Sequence, residues 1–428
     1  MLRSLITSRV IATNRNRASA TTCERKQPCR LGVMVSKYRA VLSAPGAMRL
    51  FASALVARLP QGMSSLAILL LVRATTHSYA AAGVAVGGFA LATATCAPVL
   101  GRLVDRFGRT RVLLPFACGQ ACVYVLLVVA AHAGAGVVVL VLLSALCGAL
   151  LPPIAPTVRA LLREVFDDEE VLDTAYALES ILQETVWIAG PLIVALLIAV
   201  TSPDAAVAVL GAVCIVGTSL FVRSPVVRLS STSRGSGYER VPALSSPELR
   251  ALLGPVALTG TALGAVEVGL PSLALHAGSR PASGLLLALW SLGSMTGGLW
   301  YGGRVWRSPL GTRYQMLLVA LLVCTAPLIA ARSIPAGIVC SLLAGLAIAP
   351  VFSCQYALVG RAVTRGSETE AFTWVSAALI GGLAAGSAIG GAVIGSAGVG
   401  APFVIACVAS LLAAVIAVGF RSRVRQPA

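Results

Sequence analysis

The chain has 428 residues, 57% of them hydrophobic and 11% charged, with a mean hydropathy of +0.89. A soluble domain carries about 25% charged residues, so a water-soluble fold could not cover this much apolar surface, and most of the chain belongs in lipid. The net charge of +17 does not signal nucleic acid, because the bases lie in gaps between apolar runs, the pattern of topology signals.

Residues 1 to 45 are polar and basic, from Arg3 to Arg39, with Glu24 as the sole acid. No continuous apolar region there suits a cleaved secretory signal. The stretch reads as a disordered tail. A transit-like leader, or a start at Met34 or Met48, are the other readings.

Twelve apolar segments follow, near 47–72, 79–101, 112–132, 136–156, 175–200, 205–222, 250–276, 282–303, 314–331, 334–356, 373–396 and 400–420. Each is long enough for a helix crossing of roughly 30 Å. Bases crowd every second gap, and the alternate gaps hold only Arg73, Arg280 and Arg332. The positive-inside rule then places both termini in the cytoplasm and requires an even number of crossings.

Between segments 2 and 3 runs Gly101-Arg102-Leu103-Val104-Asp105-Arg106-Phe107-Gly108-Arg109-Thr110-Arg111, a basic loop holding one acid. It resembles the loop signature of the major facilitator superfamily, and only Thr110 departs, where a base is usual. The resemblance implies an all-helical membrane protein of twelve transmembrane helices in two six-helix pseudo-repeats. It also implies that Asp105, with Arg106 and Arg109, caps the start of segment 11 as a latch. The other motif positions are Gly101 and Gly108.

The sequence carries its own sign of repetition. One offset maps Gly101 onto Gly298, and Ser144, Gly148 and Pro153 onto Ser341, Gly345 and Pro350. Gly190-Pro191 answers the Gly386-Ser387 region. A Ser-, Gly- and Pro-rich connector, 230–247, reads as flexible. The expected division is a tail 1–45, halves 46–223 and 250–420, a cytoplasmic linker 224–249, and a basic tail 421–428.

Ionisable groups inside lipid are functional candidates. They are Arg58 in segment 1, Glu179 and Glu184 in segment 5, and Glu267 in segment 7. Arg58 and Glu184 sit about 12 and 15 Å from the cytoplasmic edge, and since segments 1 and 5 are neighbours in the resembled family, the resemblance implies an ion pair. Glu179 is nearer the edge and suits a contact with Arg159, Arg163 or water. Glu267 is about 24 Å in with no basic partner left. It must face water or be neutral, which suits a proton carrier or a wet outer vestibule. Segments 1, 4, 7 and 10 line the cavity in the resembled family. They offer Gln61, Ser64, Ser65, Gln355 and Tyr356, with interhelix hydrogen bonding as the plainer role. Pro153, Gly190, Pro191 and Pro350 mark helices that bend.

Eleven cysteines, mostly inside apolar runs, lack the histidines of a metal site, and no disulfide framework is expected. No phosphate-binding loop is present, so neither cofactor nor nucleotide is called for. The expectation is a monomeric plasma-membrane transporter that exports a small amphipathic compound by alternating access, through proton antiport. The partners are then a small-molecule substrate, protons and the lipid bilayer. The alternatives are a sugar or metabolite symporter and a membrane sensor without turnover. An enzyme is not expected.

Overall fold

The computed structural model describes residues 30–232, 241–364 and 366–420. Among these the regular structure is helical. Eleven helical stretches are long and apolar enough to cross a membrane, and the twelfth segment is an apolar helix of 17 residues, Ala401–Ala417.

Several helices outrun their apolar segments. Segment 5 begins at Glu169 and segment 11 at Glu368, where starts near 175 and 373 were expected. The apolar run marks only the part in lipid, and backbone hydrogen bonding continues past it. For segment 5 the start is set by Asp168, whose carboxylate accepts from the Glu170 and Val171 amides. Glu169 and Glu170 then sit at the positive end of the helix dipole.

The loop between segments 2 and 3 is shorter than its motif. Segment 2 stays helical through Phe107 and segment 3 begins at Arg109. Gly108 alone makes the turn, at φ 91°, a conformation that favours glycine.

The prolines act unequally. Segment 4 breaks into Val137–Ala149 and Ile154–Val165 around Pro152 and Pro153. Segment 10 breaks into Ile334–Gly345 and Ile348–Ala362, with Pro350 in the first turn of the second piece, where no helical donor is lost. Pro191 lies inside the uninterrupted helix Glu169–Val200. Beside it, Gly190 serves close approach: a Cβ there would overlap the backbone of Gly62 in segment 1.

The expected disordered tail is helical over Arg30–Ser43. Tyr38 donates to the carbonyls of Gly298 (3.1 Å) and Leu299 (3.2 Å) in segment 8, and Lys37 pairs with Glu170 of segment 5 at 3.3 Å. Those contacts offset the entropy of ordering the segment, which composition alone could not reveal. In the connector, Pro225–Thr232 is helical. Residues 1–29, 233–240, 365 and 421–428, with the middle of the flexible-linker expectation and the basic tail, lie outside the described residues.

Packing differs at the two ends. At the end carrying Gly108, one buried core unites residues from both sides of the connector, including Val104, Tyr176, Phe352 and Phe372. At the far end the buried core is split. One cluster runs from Met63 to Leu210 and another from Ala262 to Ala409. The molecule is closed at the loop end and divided at the far end.

Gly101 marks the closure. A Cβ there would collide with the Thr373 side chain and come within 3.0 Å of Glu370 Cα in segment 11. Gly101→Val should therefore cost the closed arrangement about 1–3 kcal/mol by overpacking. Labelling of a cysteine placed at Ser376, in a background free of native cysteines, should rise with an impermeant maleimide added at the loop end. Unchanged labelling would contradict this.

Candidate functional site

Three polar groups cross the interior at the loop end. The first joins segments 2 and 11. Asp105 is buried, and its Oδ2 accepts the Glu370 backbone N–H at 2.8 Å. An anion at a helix start satisfies an otherwise unpaired amide and complements the dipole. The arginine that spans the gap is Arg102, at 2.7 Å from Glu370. The resemblance had named Arg106 and Arg109. Arg106 is exposed with its guanidinium over Phe107, because it faces outward on the helix. Arg109 is fully buried and grips Glu164 with two bonds, 2.6 and 3.2 Å. It fastens segment 3 to the end of segment 4. Asp105→Ala should remove the cap and cost about 1 kcal/mol. Thermal unfolding measures this, and loss of stability should accompany faster labelling of the Ser376→Cys reporter.

The second group is a buried charge cluster. Arg58 Nη2 lies 2.7 Å from Glu179 Oε1, and Arg159 Nε reaches the same oxygen at 3.2 Å. All three side chains are at most 5% exposed. The expected Arg58–Glu184 pair is thus replaced by Arg58–Glu179. The cause is the early start of segment 5. Arg58 lies 11 residues beyond the first residue of its helix (58 − 47) and Glu179 lies 10 beyond its own (179 − 169), so the two are level. Glu179 does meet Arg159, as anticipated. Arg159 also donates to Gln183 Oε1 at 3.3 Å and to Ser376 Oγ of segment 11 at 3.5 Å. Its guanidinium lies 4.0 Å from the centroid of the Tyr356 ring, a cation–π contact. Tyr356 packs in turn against Tyr176, Phe352 and Phe372.

The third group is Glu184, buried beside segment 8, where Ser294 Oγ donates to its Oε1 at 3.0 Å. It makes no ion pair among the described residues. Glu267 is exposed and makes no ion pair among the described residues.

The cavity candidates divide. Gln61 and Ser65 are half-buried. Ser64 is fully buried and bonds Tyr124 Oη at 2.7 Å as well as the Pro60 carbonyl. Gln355 donates to Tyr314 Oη at 3.0 Å in segment 9. These two face neighbouring helices, because a buried polar side chain in lipid must find a partner within the bundle. Tyr356 belongs to the aromatic closure.

Sequence reading missed Arg102, Glu370, Ser294 and Tyr38. Only Glu370 carried a signal, as an acid directly ahead of segment 11. No group of three or more metal-binding side chains exists among the described residues.

A family model described as Major Facilitator Superfamily matches residues 50–302. No curated protein matches the chain. Among solved structures, the human organic anion transporter MFSD10 (TETRAN) is similar at a TM-score of 0.68 and 19% identity. That alignment covers 86% of this chain and 99% of the other. A bacterial homologue of the iron transporter ferroportin, in an outward-facing state, is similar at a TM-score of 0.71 and 15% identity, covering 88% and 99%. Likeness at such identity speaks to the fold alone.

Proposed function

Since this chain belongs to the major facilitator superfamily and is a multi-pass membrane protein, we propose that it is a proton-coupled secondary transporter working by alternating access. It moves a small amphipathic compound across the plasma membrane and exports it by antiport. It does so as a monomer, with twelve helices in two six-helix halves, 46–223 and 250–420, and both termini in the cytoplasm. The shared offset supports the repeat. So does the packing, since Gly101 meets segment 11 while its counterpart Gly298 meets Ile181 of segment 5. With the loop end cytoplasmic, a molecule closed there and divided at the far end faces outward.

The observation that carries proton coupling is Glu184. It is a buried carboxyl without a counter-ion, bonded across the junction of segments 5 and 8 that must part when the loop end opens. An intramembrane acid of this kind is carried through the cycle most cheaply when neutral. Export rests on the loop motif and on Gly190-Pro191, which resembles part of an antiporter motif.

The test is flux in everted vesicles. A pH gradient is imposed, read with a fluorescent dye, and challenged with lipophilic cations, organic acids and sugars. A compound that collapses the gradient only when the wild-type protein is present supports antiport. Solute movement without a proton signal removes the coupling. Binding without flux removes transport and leaves a sensor.

Symport is the second reading, and the charge count favours it. Arg58 and Arg159 stand against Glu179 and Glu184. A proton on Glu184 leaves one excess buried positive charge. An anionic solute travelling with the proton would neutralise it.

A further inference from the structure

Two arginines share one oxygen in the buried cluster, and that sharing is unequal. Arg159 is fully committed. Its Nε, Nη1 and Nη2 each have a partner, and a ring lies against its face. Arg58 spends only Nη2, on Glu179 Oε1. Its Nε and Nη1 are buried without a hydrogen-bond partner, and so is Gln183 Nε2. Against these three donors stands one unpartnered acceptor, Glu179 Oε2. The group therefore has an excess of donors and, with two guanidiniums to one carboxylate, an excess positive charge. Glu184, the other buried acid, is bonded to Ser294 and pairs with neither arginine. Buried charge left in this condition is costly until a counter-ion reaches it.

We infer that Arg58 is the anchor for an organic anion, a solute carrying one carboxylate or similar acid on an apolar body. The assignment rests on the reading of the chain as a transporter, in either direction, and names its substrate class. Arg58 can exchange Glu179 for the acid of the solute because Arg159 continues to hold Glu179 through the same oxygen. No carboxylate is stranded by the exchange. Once Nη2 is released from Glu179 it forms a fork with the free Nε or Nη1, and either edge matches two acid oxygens in geometry as well as charge. The approach lies along segment 1. Gln61 and Ser65 fall on the helix face of Arg58, one and two turns on, and both are half-buried where Arg58 is 2% exposed. The polar stripe thus runs from the floor, sealed by the loop-end core, toward the divided far end. Arg159 is a positioning residue in this scheme.

The test is thermal unfolding of the full-length protein in detergent at neutral pH, titrated with benzoate and with benzamide, its neutral isostere. Benzoate should stabilise the wild type and benzamide should not. Arg58→Gln should weaken the apparent benzoate affinity by about tenfold or more, the scale of one lost charged hydrogen-bond pair. Arg58→Lys, which keeps the charge and loses the fork, should still prefer benzoate, with affinity between the two. It is the variant to read if Arg58→Gln does not fold. The assignment is overturned if wild type ignores benzoate, if benzamide stabilises equally, or if Arg58→Gln keeps the wild-type response. Ethidium flux in the everted vesicles separates the two levels. Ethidium movement with no benzoate response overturns the anion site and leaves the transporter. Benzoate-specific stabilisation with no flux of either compound keeps the site and overturns transport.

Discussion

Glu184→Gln should abolish gradient-driven flux while leaving the fold intact. The amide has the shape of the acid and still offers an oxygen to Ser294 Oγ, which now stands 3.0 Å from Glu184 Oε1. One hydrogen bond of altered strength moves stability by about 1 kcal/mol at most. Proton carriage is another matter, because an amide cannot take up or release the proton. Reconstituted Glu184→Gln should show flux no greater than empty vesicles under an imposed pH gradient. It should retain equilibrium binding of any compound that the wild type moves. Driven flux equal to wild type would remove Glu184 from the coupling step and leave exposed Glu267 as the acid to examine.

Glu179→Ala carries the largest expected effect on stability. Glu179 Oε1 is the shared acceptor for Arg58 at 2.7 Å and Arg159 at 3.2 Å, with the carboxylate itself fully buried. Removing it leaves two guanidiniums facing each other without a counter-ion. Breaking a buried ion pair by deleting one partner costs about 3–5 kcal/mol, and here two pairs are lost. The variant should unfold at markedly lower temperature or fail to accumulate in membranes. Arg58→Gln should be milder, because Glu179 keeps Arg159. The ranking of the two variants by thermal unfolding is the check. Equal destabilisation would mean that Arg159 does not hold Glu179 independently.

The readings that held were those that depend on local chemistry. The apolar segments and the break at Pro152-Pro153 follow from residue type and spacing, while the cap by Asp105 on segment 11 is the one the loop motif's resemblance implied. The readings that shifted depend on where a helix begins. Five or six residues of charged helix ahead of segments 5 and 11 are invisible to an apolar count. That offset alone exchanged Glu179 for Glu184 as the partner of Arg58. The charges of the loop motif also sorted differently. Arg102 and Arg106 stand one turn apart on segment 2, yet only Arg102 reaches Glu370, while Arg109 lies beyond the Gly108 turn on segment 3 and turns inward to Glu164.

The sequence by itself determined that the chain lives in lipid and roughly where it crosses. Hydrophobic transfer acts on each residue independently of the fold, so composition and order suffice to read it. Tertiary structure alone decided the partners. Two arginines converge on one carboxylate, Glu184 meets a serine from a segment 110 residues away, and the loop end closes while the far end stays divided. Those outcomes depend on distances and directions between helices. In lipid, the requirement that every buried polar group find a partner is met by whichever side chain the packing brings near.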